Sequence, residues 1–143
     1  MTTDVLPPAG TPFGDRVRRR LRDEMCIWFT TVGARGTPQP NPVWFVWDDG
    51  DVLIYNRPDA RRLDHLRGDA HVSLHFNATP RGGDIVVLSG RAERADGGPQ
   101  PHEMPAYLDK YRDEMIRTSG SLEAFSAAYP IPVRVRIRRV RGF

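Results

Sequence analysis

Within eleven residues the chain carries Tyr55, Asn56, Arg57, Arg61, Arg62 and His65, a set of side chains able to hold an anion. Guanidinium groups donate paired hydrogen bonds to a phosphate or carboxylate, and each charge-assisted bond contributes about 1.5–3 kcal/mol. Asn56-Arg57-Pro58-Asp59 interrupts an extended run, and Asp59 is placed to cap a short helix through Ala60-Arg61-Arg62-Leu63-Asp64-His65-Leu66. The unpaired N–H groups of that helix start would add to the same anion site. At about 100° per residue, Arg62, His65 and Leu66 share one side of the helix and Leu63 turns away.

Other chemistries are poorly provided for. The sequence has no GxGxxG or GxxxxGKS/T phosphate loop, no HExxH, no nucleophile elbow and no cysteine pair. His71 and His75 share a strand face with Ser73 but lack a third ligand, so no metal site is expected. No catalytic residue stands out, and Tyr55 and His65 are the only polar candidates for a proton donor. A bound redox cofactor would account for this, since the protein then has only to bind, orient and shield it.

Composition narrows the class further. The 143 residues fit one domain, with a formal net charge of +3. Lys110 is the only lysine, so nearly all the positive charge is arginine, crowded at Arg16–Arg22 and again at Arg134–Arg141. Arginines that alternate with Val133, Val135 and Ile137 suit the solvent face of a half-buried strand, and no nucleic-acid partner is expected. The single cysteine, Cys26, excludes an intrachain disulfide, agrees with a reducing cytoplasmic setting, and reads as a small core hydrophobe in an apolar run. No apolar stretch has the length of a bilayer span, so no membrane partner is expected.

The elements that must position the anion-binding set follow from periodicity. Residues 1–12 lack a pattern and read as a mobile tail before a single domain over 13–143. Phe13 to Met25 predicts an amphipathic helix, with Phe13, Val17, Leu21 and Met25 on one face. Strands are predicted at Ile27–Val32, Pro42–Trp47, Val52–Tyr55, Val72–Phe76, Asp84–Ala95 and Val133–Arg138. Asp48-Asp49-Gly50-Asp51 is a hairpin turn, Pro38, Pro40 and Pro42 mark an edge strand, and Gly90 marks a bulge. Helices are predicted at Pro101–Arg117 and Ser121–Tyr129, the second capped by Ser121. This order gives a mainly β protein with flanking helices, built as a small antiparallel barrel rather than a parallel sheet.

Five segments in order carry a family resemblance. They are Gly33 to Phe45, the Asp-Asp-Gly hairpin, Arg61 to Leu66, Ala70 to Leu74, and Ser89-Gly90-Arg91-Ala92-Glu93. Together the chain resembles the pyridoxamine 5′-phosphate oxidase-like, flavin-binding split-barrel superfamily, and within it is most similar to actinobacterial reductases that use the deazaflavin coenzyme F420. The resemblance implies a six-stranded antiparallel split β-barrel that forms a homodimer, with two cofactors in grooves between the subunits. It places Asn41, Pro42, Val43 and Trp44 along the flavin or deazaflavin ring. It assigns Tyr55, Asn56, Arg57, Arg61 and Arg62 to the cofactor phosphate, with His65 standing where many members have asparagine and Arg62 where many have lysine. The activity implied is hydride transfer from reduced F420 to an unsaturated small-molecule substrate. The same residues would suit flavin mononucleotide (FMN), and members that bind a flavin or haem without catalysis are a further class. The carboxyl-terminal substrate motif of true pyridoxamine phosphate oxidases has no counterpart in Val133 to Phe143.

Overall fold

β-branched and aromatic residues with period-two alternation build the sheet. The computed structural model describes residues 4–143. Its elements are α1 (Pro12–Asp23), β1 (Ile27–Val32), β2 (Pro38–Val43), β3 (Val46–Asp48), β4 (Asp51–Asn56), α2 (Arg62–Gly68), β5 (His71–His75), β6 (Val86–Arg94), a single 3₁₀ turn at Pro101–Glu103, α3 (Pro105–Ser119), α4 (Leu122–Ala128) and β7 (Ile131–Gly142). The seven strands form one sheet in the order β2-β1-β5-β6-β7-β4-β3, every pair antiparallel.

The sheet must curl. Its two edge strands, β2 and β3, are consecutive in the chain and only Trp44 and Phe45 lie between them. Three Cα–Cα steps span at most about 11 Å, so the far ends of a seven-stranded sheet are drawn together into a split barrel. The structure has seven strands rather than six because the run Pro42–Trp47 does not continue as one strand. It breaks at Trp44-Phe45, where the Phe45 N–H donates to the Tyr111 hydroxyl at 2.9 Å and the Phe45 carbonyl accepts from Lys110 Nζ at 3.2 Å. The Tyr111 hydroxyl also lies 2.8 Å from the Met25 carbonyl and 3.0 Å from that of Phe45. A helix that satisfies this peptide thereby replaces the ladder that would have extended the strand.

Local sequence explains the remaining joints. Asp49 and Gly50 both take positive φ, as a two-residue hairpin requires. In β6 the register slips between Ser89 and Gly90, where a side chain would run into the Arg136 carbonyl, so glycine fixes the bulge. β2 is an edge strand, and its prolines pair with Val32, Thr30 and Trp28. Proline cannot donate, so Gln39, Asn41 and Val43 are the residues that exchange bonds with β1.

Two cores result. The barrel interior packs Val17, Leu21, Ile27, Phe29, Val43, Phe45, Val72, Leu74 and Leu88 with Val52 and Ile54 of β4. The opposite face of β4 sends Leu53 and Tyr55 into a second cluster with Met104, Tyr107, Tyr111, Met115 and Phe125. All six β4 residues are therefore buried.

Some expectations are corrected. Met25 lies beyond the end of α1 and is exposed. Cys26 is exposed too, because strand alternation turns Ile27 and Phe29 inward from the corner that precedes β1. The expected mobile tail packs from residue 4 onward. Leu6 joins the core, and Asp4 and the Pro7 carbonyl both bind Arg18. Residues 1–3 lie outside the described part. The α1 arginines are largely occupied: Arg20 is buried, donating to the Asn77 and Asp84 carbonyls, and Arg16 pairs with Asp84 at 2.9 Å. Among the described residues no helix is long and apolar enough to cross a membrane.

Tyr111→Phe removes the hydroxyl that holds the β2–β3 break and leaves the Phe45 N–H without its partner. We expect a loss of about 1–3 kcal/mol, measured as a lower denaturant midpoint at unchanged slope. A midpoint equal to that of the wild type would show that the break is held by other contacts.

Candidate functional site

The sharp turn after β4 sets the first residue of α2, Arg62, against the strand end. Its Nε donates to Asn56 Oδ1 at 2.6 Å. Asn56 is fully buried, and its amide Nδ2 donates to the carbonyls of Ile54 and Ile131 at 3.1 and 3.0 Å. One amide side chain thus ties β4, the start of β7 and α2 together and fixes the guanidinium plane. Arg57 and Arg67 nearby pair with Asp59 and Asp64, but among the described residues Arg62 has neither an ion pair nor any bond from its terminal nitrogens. Burial lowers its pKa from the usual arginine value, with Tyr129 acting in the opposite direction. Arginine stays charged at neutral pH even so, leaving a half-buried cation with free donors.

Those donors border a cavity of about 200 Å³ lined by Pro42, Val43, Trp44, Tyr55, Arg62, Tyr107, Thr118, Phe125 and Tyr129. Its walls are aromatic. Trp44 stacks on Tyr111 at 4.8 Å and Phe125 at 5.5 Å, Phe125 stacks on Tyr129 at 4.6 Å, and the Arg57 guanidinium lies 5.6 Å over the Tyr129 ring. Tyr55 points its hydroxyl away, donating to the Pro99 carbonyl at 2.8 Å, and burial pushes its pKa up to about 12. It is therefore not poised to release a proton near neutral pH. Burial also raises the Tyr107 and Tyr111 hydroxyls.

Of the residues singled out in the sequence, the cavity brings together Pro42, Val43, Trp44, Tyr55 and Arg62. Asn56 stands behind Arg62 as its support, and Arg57 flanks Tyr129. Asn41 is exposed on β2 opposite Phe29, and Arg61 is exposed at the helix boundary. His65 turns to β1, its Nδ1 2.8 Å from Thr31 Oγ1, so it does not share a ligand-binding face with Arg62. Val43 and Trp44 separate as strand alternation requires, one into the barrel core and the other against the second cluster. Asp59 does not cap α2. The helix starts at Arg62 after an uncapped Arg61 in helical geometry, and at seven residues it offers no terminus of consequence.

Sequence reasoning missed Tyr107, Thr118, Phe125 and Tyr129. The four-residue spacing of Tyr107, Tyr111 and Met115 carried a readable signal, a bulky helical stripe that required a facing partner. Among the described residues no cluster of three His, Cys, Asp or Glu side chains could hold a metal ion.

The profile of the pyridoxamine 5′-phosphate oxidase family matches residues 13–138. The chain belongs to that family. Its fold agrees with that of an F420 reductase at a TM-score of 0.69, with 19% identity over 94% of this chain and 98% of the other. A conserved hypothetical protein from Mycobacterium tuberculosis aligns at a TM-score of 0.66, with 16% identity over 99% of this chain and 88% of that one. The haem storage protein HutZ from Vibrio cholerae aligns at 0.62, with 12% identity over 90% and 92% of the two chains. At such identities the likeness is one of fold. No curated protein matches the sequence significantly.

Asn56→Ala would remove a side-chain bond from each of two buried carbonyls and release Arg62. The expected cost is about 2–3 kcal/mol in equilibrium unfolding. A cost under about 0.5 kcal/mol would remove Asn56 from this supporting role.

Proposed function

We propose that this member of the family is a coenzyme F420-dependent oxidoreductase that reduces an unsaturated small-molecule substrate. The observation that carries the reading is Arg62, a half-buried guanidinium fixed through Nε with its terminal nitrogens free at an aromatic cavity. Fixed donors beside Trp44 and Tyr129 fit a cofactor that combines a phosphate with a planar ring. When bound, the cofactor would supply the hydride. The chain's own part is to anchor phosphate at Arg62, to present the Pro42-Val43-Trp44 segment to the ring, and to keep water from it with the tyrosine-rich face of α3 and α4. With the Tyr55 hydroxyl donating to Pro99 and His65 turned to Thr31, the proton comes from solvent in this reading.

A cavity of about 200 Å³ is smaller than the several hundred Å³ that sites for ligands of this size require. This supports a homodimer in which a second subunit completes the groove. Exposed Arg57 and Arg61 lie where the acidic tail of F420, absent from FMN, could reach them. Such exposed pairs contribute about 0.2–1 kcal/mol each and are screened by salt.

The test is a fluorescence titration with F420 and with FMN over a salt series. F420 is expected to bind up to about tenfold tighter at low ionic strength, with the gap closing as salt rises. Tighter FMN binding throughout would make this a flavin enzyme. Arg62→Gln keeps an amide donor for Asn56 but loses the charge, and should weaken cofactor binding about thirtyfold, or about 2 kcal/mol, with little change in the unfolding midpoint. Unchanged affinity would move the phosphate elsewhere.

A further inference from the structure

A larger cavity, of about 880 Å³, opens between α1, β3 and α3 and shares no lining residue with the one at Arg62. Its walls include Leu6, Leu21, Val46 and Trp47, the cations Arg18, Arg22 and Arg136, and Lys110, the only lysine of the chain. Lys110 Nζ donates to the Leu21 carbonyl at 3.4 Å and the Phe45 carbonyl at 3.2 Å, and sits 3.7 Å from the centre of the Phe45 ring. Two N–H bonds satisfy both carbonyls, so a neutral amine loses neither contact and keeps a lone pair.

The arginines around it are each paired. Arg18 pairs with Asp4, Arg22 with Asp23, Arg20 with Glu24 and Arg136 with Asp51. Asp49 from the β3–β4 turn and Asp109 from α3 also line the cavity. Among the described residues Lys110 has no carboxylate within ion-pair distance, and burial pushes its pKa down to about 8 although Asp23, Glu24 and Cys26 oppose that fall. An amine desolvated over an aromatic ring at a cavity wall is the arrangement that makes lysine a nucleophile.

We propose that this cavity is a second ligand site, in which the Lys110 amine condenses with a small aldehyde or ketone that carries a carboxylate. The ammonium first gives its proton to water. The nitrogen lone pair then adds to the carbonyl carbon and a C–N bond forms; the carbonyl oxygen takes the two amine hydrogens and leaves as water, giving an imine and releasing the Leu21 and Phe45 carbonyls. Spare guanidinium N–H groups of Arg18, Arg22 and Arg136 would take the carboxylate. The site does not depend on the cofactor reading of Arg62.

Having one lysine makes the test direct. The full chain is incubated with glyoxylate and cyanoborohydride, which reduces any imine to a carboxymethyl amine, and modification is mapped by peptide mass spectrometry. Lys110 should be labelled at least about tenfold faster near neutral pH than the side chain of an N-acetyl-lysine amide, with a rate that rises through pH about 8 and then levels. Labelling no faster than the free analogue, a rate still rising towards the ordinary lysine range, or modification confined to the terminal amine would each overturn the proposal. Lys110→Arg keeps the cation and should lose the internal label alone. If that variant fails to fold, the wild-type rate and pH profile decide by themselves.

Discussion

Only Trp44 and Phe45 separate the strands at the two ends of the sheet, and a hydroxyl from α3 holds the peptide between them. Almost everything else depends on that short link. It forces the curl that encloses the barrel core, and it turns Trp44 out of the strand so that its ring lies within 4° of parallel to Tyr111. The same peptide separates the two cavities, since Trp44 lines one while Val46 and Trp47 line the other. Lys110 and Tyr111, adjacent on α3, both bond to Phe45.

β4 is the second determinant. In an ordinary half-exposed strand one face would be polar, but here α3 and α4 cover the outer face, so alternation sorts residues between two cores rather than between core and water. Asn56 ends the strand as its last buried residue, and being polar it must have partners. It finds two carbonyls and one guanidinium. The resulting Arg62 is rigid before any ligand arrives, which limits the entropy lost when an anion binds.

Much of this could be read from the sequence, and the gaps have physical causes. Alternation located the strands, proline spacing located the edge, Asp49-Gly50 located the hairpin and Gly90 the bulge, because each follows from backbone sterics within a few residues. The break in Pro42–Trp47 was hidden, since its cause is a tyrosine more than sixty residues away. The aromatic lid was hidden for the same reason: Tyr107, Phe125 and Tyr129 reach the site only through the packing of α3 and α4 on β4. Arg62 was legible as a cation near a turn, yet its support by Asn56 and the divergence of His65 were not. Helical spacing says which residues share a side but not what each one meets.

The prolines of β2 have a consequence for crowded solution. Since Gln39, Asn41 and Val43 are committed to β1, the backbone positions that face outward on this edge belong to Pro38, Pro40 and Pro42, which carry carbonyls but no hydrogen. A strand from another molecule that approached this border would find acceptors and no donors, so a ladder could not propagate through it. The border of the barrel that is most open to solvent is in this way closed to runaway polymerisation. An association with a second copy across this border must use side chains and faces instead of lengthening the sheet.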